Sequence, residues 1–169
     1  MKIAITPEHC QSIKIHAEST YPEECCGFLL GQLQYAEQKD SHWVLEIWWA
    51  KNTWSPELET ITEIDSEVAL PNQPFSKTNR YWIDPQETLQ VQRYARDRRL
   101  DIIGIYHSHT DHPAVPSECD RALAWSRYSY LIVSVSQGIA QDLLCWSLDE
   151  NHQFQPQELL ITPAAQNVT

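Results

Sequence analysis

A chain of 169 residues with 42% hydrophobic content is long enough for one substantial core and short for two, and its net charge of −11 argues against a phosphate-binding surface. No apolar run approaches the roughly 20 residues that span a bilayer, and the amino terminus shows no signal-type apolar region, so a cytoplasmic protein without membrane or nucleic-acid partners is expected. Five cysteines, an odd number without framework spacing, read as free thiols.

Ile3 and Ile5 mark a short edge strand, and Thr6-Pro7-Glu8 starts a helix with an N-cap, Pro at the first helical position and an acidic first turn. That helix is expected to reach about Ser19, with Cys10, Ile13 and Ala17 as its apolar stripe, and Tyr21-Pro22 ends it. Residues 26–30 and 43–50 read as strands paired antiparallel, and adjacent Cys25 and Cys26 point to opposite faces.

From 52 to 79 the chain carries Pro56, Pro71 and Pro74, scattered acids and no sustained period, so it reads as a long loop: a lid or substrate-docking segment, or a mobile insertion. Its acidic run, 57–67, reads as a solvated face. Arg80-Tyr81-Trp82-Ile83 looks like a strand, and Asp84-Pro85-Gln86-Glu87 starts a helix to about Arg98, with Leu89 and Tyr94 on its apolar side and a basic end that suits the helix dipole. Further strands are expected at 101–106, 128–136, 142–148 and 154–162, with a helix from Glu118 to about Arg127. Strands alternating with three helices make an α/β domain with a mixed sheet over 1–162, and 163–169 is expected to be a disordered tail.

The chemistry concentrates at His107-Ser108-His109, followed after seven residues by Ser117-Glu118-Cys119-Asp120. The histidines follow the apolar run Ile102-Ile103-Gly104-Ile105-Tyr106, so they sit at a strand's end, where residues two apart share a face. Ser117 is a natural N-cap and Asp120 falls in the first helical turn, from which its carboxylate can turn back to the strand. Two imidazoles and one carboxylate would leave a tetrahedral Zn2+ with one open position, the arrangement of catalytic sites, at one ion per chain. Taken singly, Ser-x-x-Asp is most often only a capping box and a strand-end histidine a hydrogen-bonded loop residue; their combination is what points to metal. Cys119, inside the loop, reads as a small helix residue before a spare ligand.

This constellation resembles the JAMM (MPN-plus) metalloproteases, whose signature is a Glu far upstream, His-x-His, seven residues and Ser-x-x-Asp. The segment Pro22-Glu23-Glu24-Cys25-Cys26-Gly27-Phe28-Leu29-Leu30-Gly31 looks like the family's first core strand, with Glu24 rather than Glu23 at the position of its glutamate. One departure is Thr110, where bacterial members commonly carry proline. The resemblance implies a three-layer α/β/α fold similar to cytidine deaminases, with Glu24 as general base and Ser117 as a donor to the oxyanion. It also implies hydrolysis of an amide bond at the Gly-Gly-type tail of a ubiquitin-like or sulfur-carrier protein. The alternatives are a metal-free MPN-type scaffold and a zinc hydrolase of another amide or amidine bond, such as a deaminase, though the Cys-x-x-Cys of deaminases is absent. Part of the 52–79 excursion is expected beside the zinc cleft, where an extended tail would dock by strand addition, while Trp43, Trp48 and Trp49 either serve that docking or split between core and surface.

Overall fold

The computed structural model describes residues 2–34, 41–58 and 74–163. In chain order these form β1 (Lys2–Ile5), α1 (Pro7–Thr20), β2 (Cys26–Gln34), β3 (Ser41–Ala50), α2 (Pro85–Asp97), β4 (Asp101–Thr110), α3 (Glu118–Leu123), β5 (Ser129–Ser136), β6 (Ile139–Leu148), β7 (Phe154–Pro156) and β8 (Glu158–Ile161). The strands make one mixed sheet in the order β7-β6-β5-β4-β2-β3-β1-β8. β2 pairs antiparallel with β3, as expected, and β4 lies between antiparallel β2 and parallel β5.

The helices cover both faces. Thr6 caps α1, accepting from the His9 amide at 3.2 Å, and Cys10, Ile13 and Ala17 pack with Ile3, Leu29, Tyr106 and Leu131. α2 covers the other face, where Val91 and Ala95 pack on Cys26, Phe28 and Leu30. The packed side of α2 is therefore not the one expected: Leu89 and Tyr94 are 48% and 36% exposed, whereas Val91 and Ala95, four residues apart, face the sheet. Cys25 and Cys26 do fall in opposite cores, and all five cysteines are buried and outside any disulfide.

Three other expectations change. β1 is not an edge, because β3 and β8 flank it on either side, both parallel. Residues 80–83 form no strand: Trp82 takes the Thr53 amide on its carbonyl, so this stretch is tied to a loop rather than to a ladder. α3 stops at Leu123 instead of near Arg127, and the Trp125 amide is capped by the Tyr130 hydroxyl at 2.7 Å. The acidic run from Glu59 onward, and the tail beyond Pro163, lie outside the described residues.

The expected last strand divides at Gln157, with β7 pairing to β6 and β8 to β1, the two ends of the strand order. Laid flat, eight strands would separate these ends by about 33 Å; a single intervening residue reaches only about 7 Å. The sheet therefore curls strongly around α1, which touches β3, β4, β5 and β6, and the Gln157 amide is bonded to the Cys145 carbonyl at 2.8 Å.

At the centre of this sheet Gly104 permits close packing of β4 on β5: a Cβ there would lie 2.3 Å from the Ser129 carbonyl oxygen. Gly104→Ala should therefore separate the central strands and cost about 1–3 kcal/mol, read as a lowered denaturant midpoint.

Candidate metal centre

β4 runs on through both histidines to Thr110, because β5 lies beside it as far as the pair Thr110↔Val135. Both rings thus stand on a fixed ladder near the carboxyl end of a central strand, as expected. Alternation turns Ser108 the other way, where its hydroxyl accepts the Cys25 amide at 2.7 Å. That bond, with the Cys26↔His107 pairing, fixes the entry of β2 beside the histidines.

His107 Nε2 and His109 Nε2 lie 3.1 Å apart. Asp120 Oδ1 stands 3.2 Å from His107 Nε2 and Oδ2 stands 3.3 Å from His109 Nε2. A tetrahedral ion with bonds of about 2.0–2.1 Å separates neighbouring ligand atoms by about 3.3 Å, so these spacings fit zinc. The His109 Nδ1–H donates to the Pro113 carbonyl at 2.8 Å, which leaves Nε2 to face the cluster in the manner usual for metal-binding imidazoles. His107 is fully buried, its Nδ1 meets no partner among the described residues, and its ring is oriented by stacking on Tyr81 at 4.6 Å.

Asp120 also closes the capping box. Its Oδ2 accepts the Ser117 amide at 2.6 Å and the Ser117 hydroxyl at 2.7 Å, while its own amide donates to Ser117 Oγ at 3.1 Å. The cap and the cluster are thus one network, and the Ser117 hydroxyl, though it lines the cavity, is turned to Asp120. Burial opposes the Asp120 charge, yet the two imidazoles hold its pKa well below the usual carboxylate range. Burial lowers the His107 pKa; at His109 burial is again the largest single effect, but the hydrogen bond and charge of Asp120, the charge of Glu24 and the Pro113 carbonyl together outweigh it and raise the pKa. Cys119 is a buried residue of α3 outside the ligand cluster.

Glu24 is 6% exposed, whereas Glu23 is exposed. Burial pushes the Glu24 pKa up to about 8, against the pull of His109 and Arg80 and aided by the charge of Asp120. It shares with His109, Ser117 and Asp120 a cavity of about 250 Å3, whose other walls are Phe75, Asn79, Arg80, His112, Pro113 and Val115. The excursion therefore does reach the cavity through Phe75 and Asn79. The tryptophans do not: Trp48 packs on Tyr94, and Trp49, 46% exposed, stacks on His16. Thr110, in place of the common proline, donates to the Thr78 carbonyl and so ties the histidine loop to this wall.

Sequence reasoning missed Asn52. Its amide nitrogen donates to the carbonyls of Glu24 at 3.0 Å and Arg80 at 2.9 Å, and its oxygen accepts the amides of Trp54 at 3.0 Å and Trp82 at 3.2 Å. Every hydrogen-bonding position of the side chain is used, and a lone Asn in a loop gives no pattern that announces it. Asn52→Leu should strand these groups, cost about 2–4 kcal/mol in denaturant unfolding and weaken turnover by loosening Glu24.

Over residues 6–149 the chain matches the family described as prokaryotic homologs of the JAB domain. It is 42% identical over 55 residues to a desampylase of Haloferax volcanii, across 32% of this chain and 40% of that protein. It is 34% identical over 70 residues to a probable TtuB-protein conjugate cleaving protease of Thermus thermophilus, across 41% of this chain and 47% of that protein. The chain thus spans less than half the length of these two curated relatives. A Salinibacter ruber protein of known solution structure superposes with a TM-score of 0.65 at 29% identity, covering 98% of this chain and 95% of that one. Since the family match takes in Glu24, both histidines and the loop into α3, the entire cluster lies inside it, and the chain belongs to the prokaryotic JAB-domain family.

Proposed function

We propose that the protein is a zinc-dependent peptidase or isopeptidase that hydrolyses an amide bond at the Gly-Gly-type C-terminal tail of a ubiquitin-like or sulfur-carrier protein. The observation that carries this reading is the convergence of His107, His109 and Asp120 at 3.1–3.3 Å, with His109 and Asp120 lining the same cavity as a buried Glu24. The names of the relatives, desampylase and conjugate cleaving protease, support the substrate class.

The two Nε2 atoms and the Asp120 carboxylate would hold zinc, which when bound would supply Lewis acidity toward a water and a carbonyl. Glu24 accepts the proton of the attacking water and returns it to the leaving amine, a task suited to a carboxyl whose environment has moved its pKa toward neutrality. The Ser117 hydroxyl, by turning from Asp120, donates to the oxygen that gains charge. The wall formed by Phe75, Pro113 and Val115 limits water around the reacting groups.

The test pairs metal analysis with hydrolysis of a carrier–amide conjugate. One zinc per chain and chelator-sensitive cleavage are expected. No bound metal after chelator-free purification, with carrier binding intact, favours a metal-free scaffold; cleavage of a nucleoside amidine and not of the amide favours the deaminase-like alternative.

A further inference from the structure

Arg80 brings a permanent cation to the cavity of a chain whose net charge is −11. It is set in place rather than loose: Nη1 donates to the Asn79 carbonyl at 2.6 Å, and the guanidinium lies 3.9 Å over the Phe75 ring. Among the described residues it forms no ion pair with a carboxylate within 4.0 Å. Its backbone is fixed to that of Glu24 through Asn52, whose amide spans both carbonyls.

We infer that Arg80 is a specificity-determining residue that binds the free carboxylate of an amino-acid leaving group, so that the preferred substrate is a carrier tail joined through its terminal carbonyl to the α-amine of a single amino acid. The inference rests on the amide-hydrolase reading above. Glu24 returns a proton to the leaving nitrogen, and in an α-linked amino acid the carboxylate is attached to the carbon next to that nitrogen. A cation on the Glu24 side of the cavity is therefore where this carboxylate falls, and guanidinium matches it with two parallel hydrogen bonds. A cavity of about 250 Å3 suits a residue-sized group; pockets for drug-sized ligands run roughly 300–1,000 Å3. A lysine side-chain amide within a folded conjugate offers no carboxylate at this point.

The test uses the zinc-loaded protein and two peptides, acetyl-Gly-Gly-Ala as the free acid and as the carboxamide. Wild type should favour the acid by about 10- to 100-fold in kcat/KM, mainly through KM, the range expected for a charge-assisted pair. Arg80→Gln should bring the ratio close to one, and Arg80→Lys should keep part of it. A ratio near one in wild type, a ratio that survives Arg80→Gln, or an equal loss on both peptides overturns the inference, the last result meaning that Arg80 acts only through the charge of Glu24. Calorimetry on Glu24→Gln gives a readout free of turnover: the acid should bind more tightly, and Glu24→Gln/Arg80→Gln should bind both alike. Equal binding in Glu24→Gln itself overturns the inference, whereas Arg80-dependent selective binding without cleavage by wild type removes the hydrolase reading and leaves the carboxylate subsite standing.

Discussion

Glu24→Gln should retain one metal ion per chain and lose about 100- to 10,000-fold in turnover, the contribution typical of a general acid–base group. The amide keeps the shape of the buried side chain and removes its capacity to exchange a proton. Glu23→Gln, at an exposed position, should be close to wild type, and the reverse ranking would move the base by one residue. A second consequence appears in the metal-free protein. Burial first, and the Asp120 charge with it, raise the Glu24 pKa from 4.5 to about 8. A raised carboxyl pKa means that the folded state keeps the proton while the unfolded chain releases it. This contribution is fully present below about pH 4.5 and is lost as the pH rises through about 8. The metal-free Glu24→Gln variant should match wild type in stability near pH 4 and exceed it near pH 8, by on the order of a few kcal/mol. Equal pH dependence in the two proteins would contradict a buried, proton-holding Glu24.

Asp120→Ala should abolish metal retention. It leaves the two Nε2 atoms 3.1 Å apart with no carboxylate between them, and it opens the Ser117 capping box at the same time. Loss of an outer hydrogen-bond partner alone typically lowers metal affinity about 10- to 100-fold, so removal of the direct carboxylate should exceed that. The lost cap adds about 0.5–2 kcal/mol of destabilisation. Asp120→Asn separates these effects, since it keeps an acceptor for the Ser117 amide while discarding the charge. Metal content near zero in both variants, with unfolding close to wild type only in Asp120→Asn, is the expected pattern; full metal occupancy in either would contradict the proposed ligand set.

The histidine pair was legible because strand alternation alone puts residues two apart on one face, whatever surrounds them. Glu24 was not legible from its neighbours: nothing local distinguishes it from Glu23, and only resemblance pointed to it before burial separated the two. The face of α2 was misread because Leu89, Val91, Tyr94 and Ala95 offer two competing stripes, and the choice between them is made by the shape of the sheet. Residues 80–83 have the side chains of a strand, but their partner is the irregular turn around Asn52, which no local pattern encodes. The division at Gln157 left a faint sign in Pro156, since a residue without an amide hydrogen belongs at a sheet margin.

That division also bears on how any extended chain approaches the protein. β7 and β8 are three and four residues long and are separated by Gln157 alone, so the terminal strands themselves offer little border; among the described residues the longer uncovered edges are those of β6 before Trp146 and of β3 beyond Trp43, neither of which carries the histidines. β4 is flanked by β2 as far as His107 and by β5 as far as Thr110, which closes most of its length to strand addition. Under the proposed function, a tail lying in the cleft would meet the irregular wall at 74–83, where Thr110, Asn52 and Glu24 already hold the carbonyls of Thr78, Arg80 and Lys77. Recognition at this wall would rest on one short stretch of chain outside the sheet, which can change sequence without disturbing the scaffold that holds the histidines.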